Sequence, residues 1–229
     1  MSNGSGSGDA REESRHTNTP VIQLQSMELN EGELQVSREL SALDEEVVEF
    51  VSVLNDCGIN YVIVSGYVAI LTGRSRATED VDIVLERLTQ QRTEYLAKTL
   101  KQRGYWGMAM PLDKMYEMMS NGDRIRVAEE GELIPNFELW FAKNEVEREA
   151  LNKAITAVPG DSQLNISPLE LRIAYKLRLA QHAGSTSGKD FEDALHLYET
   201  FEESLNTEQL EEYLRDLEVE DYYDQLRRA

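Results

Sequence analysis

Tyr61-Val-Ile-Val-Ser65-Gly66-Tyr67-Val-Ala69-Ile-Leu71-Thr-Gly73-Arg74-Ser-Arg76-Ala-Thr78-Glu-Asp80-Val81-Asp82-Ile83-Val84 is the stretch that decides the fold. A short apolar run ends in a small-residue turn, a brief helical segment follows, and a second apolar run carries two acids in alternation. In an extended strand successive side chains face opposite ways, so Asp80 and Asp82 share one face while Val81 and Ile83 point into a core. Two carboxylates about 4 Å apart repel by about 4 kcal/mol at an effective dielectric near 20, so keeping both ionised favours a divalent cation between them. The segment therefore reads as a metal and triphosphate site.

Working outward, Leu43, Val47, Val48, Phe50, Val51 and Leu54 recur at helical spacing and stop at Cys57-Gly58, which predicts a helix with a glycine terminator ahead of the first strand. Thr89 opens a second amphipathic helix that Gly104 ends. Between Tyr105 and Phe141 the residues favour strands, expected near 114–118, 124–128 and 136–141 and separated by Asn121-Gly122-Asp123 and Gly131-Glu132 turns. A helical stretch near 144–154 and a turn-broken apolar segment to Ile166 follow. Beyond Ser167 the pattern is helical throughout, with Pro168 at a first-turn position and Leu169, Ile173, Leu177 and Ala180 on one face. Met1 to about Gln35 combine Gly, Ser, Asn and acids without periodicity and read as a mobile tail. The expected organisation is a disordered acidic tail over 1–38, an α/β (α+β) unit over 39–160 built on a mixed sheet with flanking helices, and a helical bundle over 161–229.

Composition narrows the function classes. The chain has 229 residues, is 41% apolar and carries a formal net charge of −20. No apolar run approaches the roughly 20 residues that span a bilayer, and the N-terminus lacks a secretory pattern, so a cytoplasmic protein with no membrane partner is expected. The lone Cys57 excludes an internal disulfide framework and a cysteine-based zinc cluster, and His16, His182 and His196 show no ligand spacing. The 23 cations divide into seven Lys and sixteen Arg, and together with the acidic surface this fits a halophilic source. At about 1 M salt the screening length is only about 3 Å, so a polyanion would have to be held by local cations. Arg74 and Arg76, beside the turn, have the fork geometry for phosphate oxygens. As ordinary loop arginines they would simply balance an acidic body.

Ser65-Gly66, thirteen residues, then Asp80-Val81-Asp82-Ile83 resembles the signature of the DNA polymerase β-type nucleotidyltransferase superfamily. The usual pattern is an apolar residue, Gly, then Gly or Ser, a short helix, and Asp-apolar-Asp/Glu-apolar; here Ser65 stands where the first glycine is usual. The resemblance implies a third carboxylate on a neighbouring strand, and Glu138 in Phe137-Glu138-Leu139 is the candidate, in phase with Trp140 and opposite to Phe137, Leu139 and Phe141. The alternative is an ordinary surface Glu on an edge strand.

A second, narrower likeness lies in the helices. Lys176 within Ala174-Tyr175-Lys176-Leu177, followed by Lys189-Asp190-Phe191-Glu192-Asp193-Ala194, is similar to the last motif of the AbiEii-type toxin nucleotidyltransferases. Ser187 stands where that family has Arg, the 183–188 loop is longer, and no Lys-Glu-Trp-Asp motif is visible. Lys176 and Asp190 can be read equally as functional residues or as a solvent-facing lysine and a dipole-stabilising first-turn acid.

The resemblance implies that Asp80, Asp82 and Glu138 hold Mg²⁺ on a nucleoside triphosphate, that Ser65, Gly66, Arg74, Arg76 and Lys189 receive the nucleotide, and that Lys176 and Asp190 assist the transfer. Its acceptor could be tRNA, another RNA, a protein hydroxyl or an antibiotic-like molecule; the toxin likeness leans toward tRNA and brings a possible antitoxin protein as partner. Two other readings remain at this point: a catalytically silent module of the same fold, and an interaction protein that docks a basic partner through its acidic surface.

Overall fold

The structure is a computed structural model that describes residues 26–30 and 32–229. A β-hairpin comes first, β1 (Ser26–Asn30) and β2 (Glu33–Ser37), with Gly32 at φ 87° in its turn. This corrects the expected tail for residues 26–30 and 32–37; residues 1–25 and 31 of that tail lie outside the described residues. Leu34 and Val36 alternate into the core at 0% and 3% exposure, and β2 runs parallel to a strand more than a hundred residues later, which supplies the partner the local sequence lacks.

Helix α1 (Ala42–Asp56) starts at a capping box in which Ser41 and Asp44 each bond the other's backbone N–H. Strand β3 (Tyr61–Val64), helix α2 (Gly66–Leu71) and strand β4 (Asp80–Leu85) follow, then α3 (Gln90–Gln102), capped by Thr89, and β5 (Tyr105–Gly107). The strand expected near 114–118 is instead a 3₁₀ turn, Leu112–Lys114, leading into helix α4 (Met115–Ser120). Leu112, Met115 and Met119 are the buried positions there, and their spacing of three and four is the helical period rather than the alternation of a strand. Strands β6 (Ile125–Glu129) and β7 (Asn136–Phe141), helix α5 (Glu145–Asn152), and strands β8 (Ile155–Pro159) and β9 (Leu164–Ile166) complete the sheet. Helices α6 (Leu169–Ala183), α7 (Lys189–Phe201), α8 (Thr207–Asp216) and α9 (Glu220–Leu226) then pack on one another around α6.

The nine strands form one mixed sheet in the order β1-β2-β8-β9-β3-β4-β7-β6-β5, with β2/β8, β9/β3 and β4/β7 parallel and the remaining pairs antiparallel. Parallel pairing sets Asp82 beside Glu138 and Val81 beside Phe137 in β4/β7. The Val81, Ile83, Phe137 and Leu139 face is core: Phe50 of α1 stacks on Phe137 with ring centroids 3.8 Å apart. The opposite face carries Asp80, Asp82, Glu138 and Trp140 toward α5 and α6. No helix among the described residues is long and apolar enough to cross a membrane.

Candidate active site

Ser65 ends β3 at φ 71°, ψ −143°, a backbone conformation that L-residues rarely adopt and that glycine adopts freely. The strained turn redirects the chain at once into α2. Gly66, next to it, has ordinary φ, but a Cβ there would lie 2.4 Å from Nη2 of Arg76. The guanidinium of Arg76 is thus laid directly over the Gly66 backbone, and a Cβ at this position would push it aside. Tyr67, a candidate for base stacking or for core, is core: it is fully buried and donates its hydroxyl to Asp44 Oδ1 at 2.9 Å.

Across the sheet from this turn the acids gather. Asp80 accepts a bond from Thr78 Oγ1 at 3.2 Å; Asp82 and Glu138 are 9% and 7% exposed and sit in register. One nitrogen of Arg124, Nη1, lies 3.2 Å from both Asp82 Oδ1 and Glu138 Oε2, and Arg126 Nε donates to Glu138 Oε1 at 2.6 Å. Arg124 also lies 3.9 Å above the Trp140 ring. Burial raises the Asp82 carboxyl above its ordinary value, with Asp80 and Glu138 adding repulsion and the Ser65 hydroxyl and Arg124 opposing. Ionised Asp82 therefore needs a cation, and a guanidinium stands in for one here.

Among the described residues no three Asp, Glu, His or Cys side chains converge as a ready-made metal cage. The donor chemistry nonetheless fits Mg²⁺, which takes one or two carboxylates and completes its octahedron with phosphate oxygens and water. Asp80 and Asp82, two hard oxygen donors on one strand face, would suit as such a pair. Glu138 is beside them, held by Arg124 and Arg126.

The second cluster ties the turn after α2 to the helices. Asp193 of α7 is fully buried and pairs with Arg74 Nη1, with Arg76 Nη1 at 2.8 Å and with Lys176 Nζ at 2.7 Å. Lys176 Nζ also donates to Asp190 Oδ1 at 2.7 Å, and Arg74 donates to Glu192 at 2.5 Å and to the Lys189 carbonyl at 3.0 Å. The solvent-facing reading of Lys176 fails, because the residue is 2% exposed. Burial first, and then the neighbouring Arg172, pull its ammonium down to about 8, against the opposing pull of Asp190. Arg74 and Arg76 are likewise not free loop residues, with side chains 15% and 17% exposed. The Lys189 side chain is exposed and only its carbonyl joins the network.

Ser65, Gly66, Arg74, Arg76, Asp80, Asp82, Glu138, Lys176 and Asp190 thus fall on two adjoining clusters, and the Lys189 side chain on neither. Sequence reasoning missed Arg124, Arg126, Arg172 and the central role of Asp193. A signal existed for the three arginines: Arg124 and Arg126 alternate with buried Ile125 and Val127, and Arg172 lies one helical turn before Lys176.

No protein-family model matches the chain, and no curated protein matches it significantly. Solved structures do match. An antigenic nucleotidyltransferase-like protein from Paracoccidioides brasiliensis superposes with a TM-score of 0.52 at 18% identity, covering 82% of this chain and 94% of that one. ANT(2'')-Ia, solved in complex with adenylyl-2''-tobramycin, superposes with a TM-score of 0.52 at 13% identity, covering 78% of this chain and 98% of that one. The chain has the nucleotidyltransferase fold.

Proposed function

We propose, from that fold and the site it carries, that this protein is a Mg²⁺-dependent nucleotidyltransferase that moves a nucleoside monophosphate from a nucleoside triphosphate to an acceptor hydroxyl. The observation that carries the reading is the conjunction, on one sheet face, of Asp80 and Asp82 with Glu138 beside them and the strained Ser65-Gly66 turn at the end of the adjoining strand.

Asp80 and Asp82 would hold the metal, which when bound neutralises phosphate charge and orients the triphosphate. The chain's own residues do the rest. For the terminal phosphates to be received at the Ser65-Gly66 turn, the Arg76 guanidinium that covers the Gly66 backbone moves aside, and Arg74, Arg76 and Lys176 exchange the carboxylates of Asp190, Glu192 and Asp193 for phosphate oxygens. Glu138, once released by both Arg124 and Arg126, accepts the proton of the acceptor hydroxyl. The acceptor oxygen forms its bond to the α-phosphorus, the bond from that phosphorus to the bridging oxygen breaks, and pyrophosphate leaves with the electron pair.

RNA, with tRNA foremost, is the acceptor class supported by the likeness of Lys176 and Lys189-Asp190 to the AbiEii-type motif, and the same likeness supports a toxin role with an antitoxin partner. ANT(2'')-Ia, whose complex holds an adenylylated aminoglycoside, makes a small hydroxylated acceptor the competing class. The net charge of −20 supports a salt-rich cytoplasm as the working environment.

The test is incubation of the protein with each labelled triphosphate, Mg²⁺ and either total RNA or an aminoglycoside, at high salt, beside an Asp80→Ala/Asp82→Ala variant. Label that moves to RNA with the native chain and not with the variant is the expected result. Nucleotide binding without transfer to any acceptor would identify a catalytically silent module, and no binding at all would refute the reading.

A further inference from the structure

Between the acid face of the sheet and helices α5 and α6 lies a cavity of about 210 Å³ that phosphate and metal chemistry leave unused. Ser65 and Asp82 stand at one side of it; Val64 and Val84 form its sheet wall, and Trp140 and Tyr175 contribute aromatic rings. Arg172 also lines it, and Arg172 is anomalous. The residue is 4% exposed, its Nε has no hydrogen-bond partner, and among the described residues its guanidinium makes no ion pair. It rests 4.9 Å from the centroid of the Tyr175 ring. That Nε is a donor alone and has lost its hydration without a replacement acceptor, which is costly. An acceptor-bearing ligand in the cavity would relieve that cost.

Resting on the nucleotidyltransferase reading, we propose that this cavity receives the base of the donor nucleotide and that Arg172 selects bases presenting two adjacent acceptors. The base is joined through its ribose to the α-phosphate, and the cavity lies beside Asp82, where that phosphate would be held. The cavity has the size for one ring system, with Trp140 and Tyr175 for its faces and polar groups of Arg124, Asn144 and Glu147 beside Arg172 on its walls. A guanidinium fork matches guanine at O6 and N7, the commonest specific arginine contact. Cytosine offers an equivalent adjacent pair at O2 and N3. Adenine sets an amino donor beside each edge acceptor, and uracil separates its two carbonyls with N3–H, so neither satisfies both arms of the fork. The protein is therefore a GTP and CTP binder that discriminates against ATP and UTP by about tenfold or more.

Titration calorimetry of the full chain with each Mg²⁺-loaded triphosphate, and with inorganic tripolyphosphate as a baseless probe, tests this. The expected result is tighter binding of GTP and CTP by that margin. Arg172→Gln, which presents both a donor and an acceptor, brings the four nucleotides within about threefold of one another and does not lower tripolyphosphate affinity. Arg172→Lys serves as a second variant in case the first does not fold, and it too narrows the preference because an ammonium lacks the fork. Equal affinity of the native chain for all four nucleotides overturns the base assignment alone. Loss of tripolyphosphate affinity in the Arg172 variants overturns it in favour of a phosphate ligand. No binding of any nucleotide sinks the nucleotidyltransferase reading as well.

Discussion

Replacing Ser65 with glycine isolates the strain at the turn. At φ 71°, ψ −143° the serine occupies backbone space that is nearly reserved for glycine, at a cost of order 1–3 kcal/mol. Ser65→Gly releases that strain but lets the unfolded chain gain entropy worth about 0.4–1 kcal/mol. The net is a stabilisation of about 1 kcal/mol, which for a chain of this length raises the melting temperature by about 2–4 °C. Ser65→Ala is the control, because it removes the same hydroxyl and keeps the Cβ and hence the strain. Differential scanning calorimetry of the three proteins at high salt reads the effect. If Ser65→Gly melts at or below Ser65→Ala, the turn is not strained and the account of Ser65 as a tolerated substitute for glycine is wrong. Both variants also lose the hydroxyl that holds the Asp82 carboxyl down, so Mg²⁺-dependent nucleotide binding should fail at a higher pH in both than in the native chain.

Asp193→Asn removes the one buried carboxylate shared by Arg74, Arg76 and Lys176; stranding buried cations costs about 3–5 kcal/mol, so the variant should melt roughly 10 °C lower, and an unchanged melting curve would count against the network. For Lys176, the folded value of about 8 lies below the ordinary 10.5. Between those pH values the unfolded chain holds a proton that the folded chain lacks, so this group's contribution to stability rises with pH across that window. Nucleotide affinity should move the other way, falling as pH passes about 8 and the ammonium is lost. Lys176→Arg should keep its affinity to at least pH 9.5, and a titration in which the two proteins fall together would remove Lys176 from the nucleotide site.

Much of this protein was legible along the chain because the relevant signals are local. Alternation in Asp80-Val81-Asp82-Ile83 assigns faces without reference to anything distant, and the helical periods after Ser167 do the same for α6 to α9. Phe137-Glu138-Leu139 placed Glu138 on its face by the same rule, and the parallel register with β4 put it beside Asp82. Local pattern failed at 114–118, where apolar Met and Tyr residues suit either period and burial on one side chose the helix.

What tertiary structure alone decided concerns partners far apart in sequence. The hairpin at residues 26–37 belongs to the sheet only because β8 offers a free edge to β2. Lys176 is buried only because Asp190 and Asp193 on the next helix, in concert with the 74–76 turn, close over it. Arg124 bridges Asp82 and Glu138 from the start of a third strand, and Arg172 Nε is left without a hydrogen-bond partner by packing that no window of sequence contains. Backbone periodicity can say which way a side chain points; burial and charge pairing depend on what the rest of the chain brings to that side.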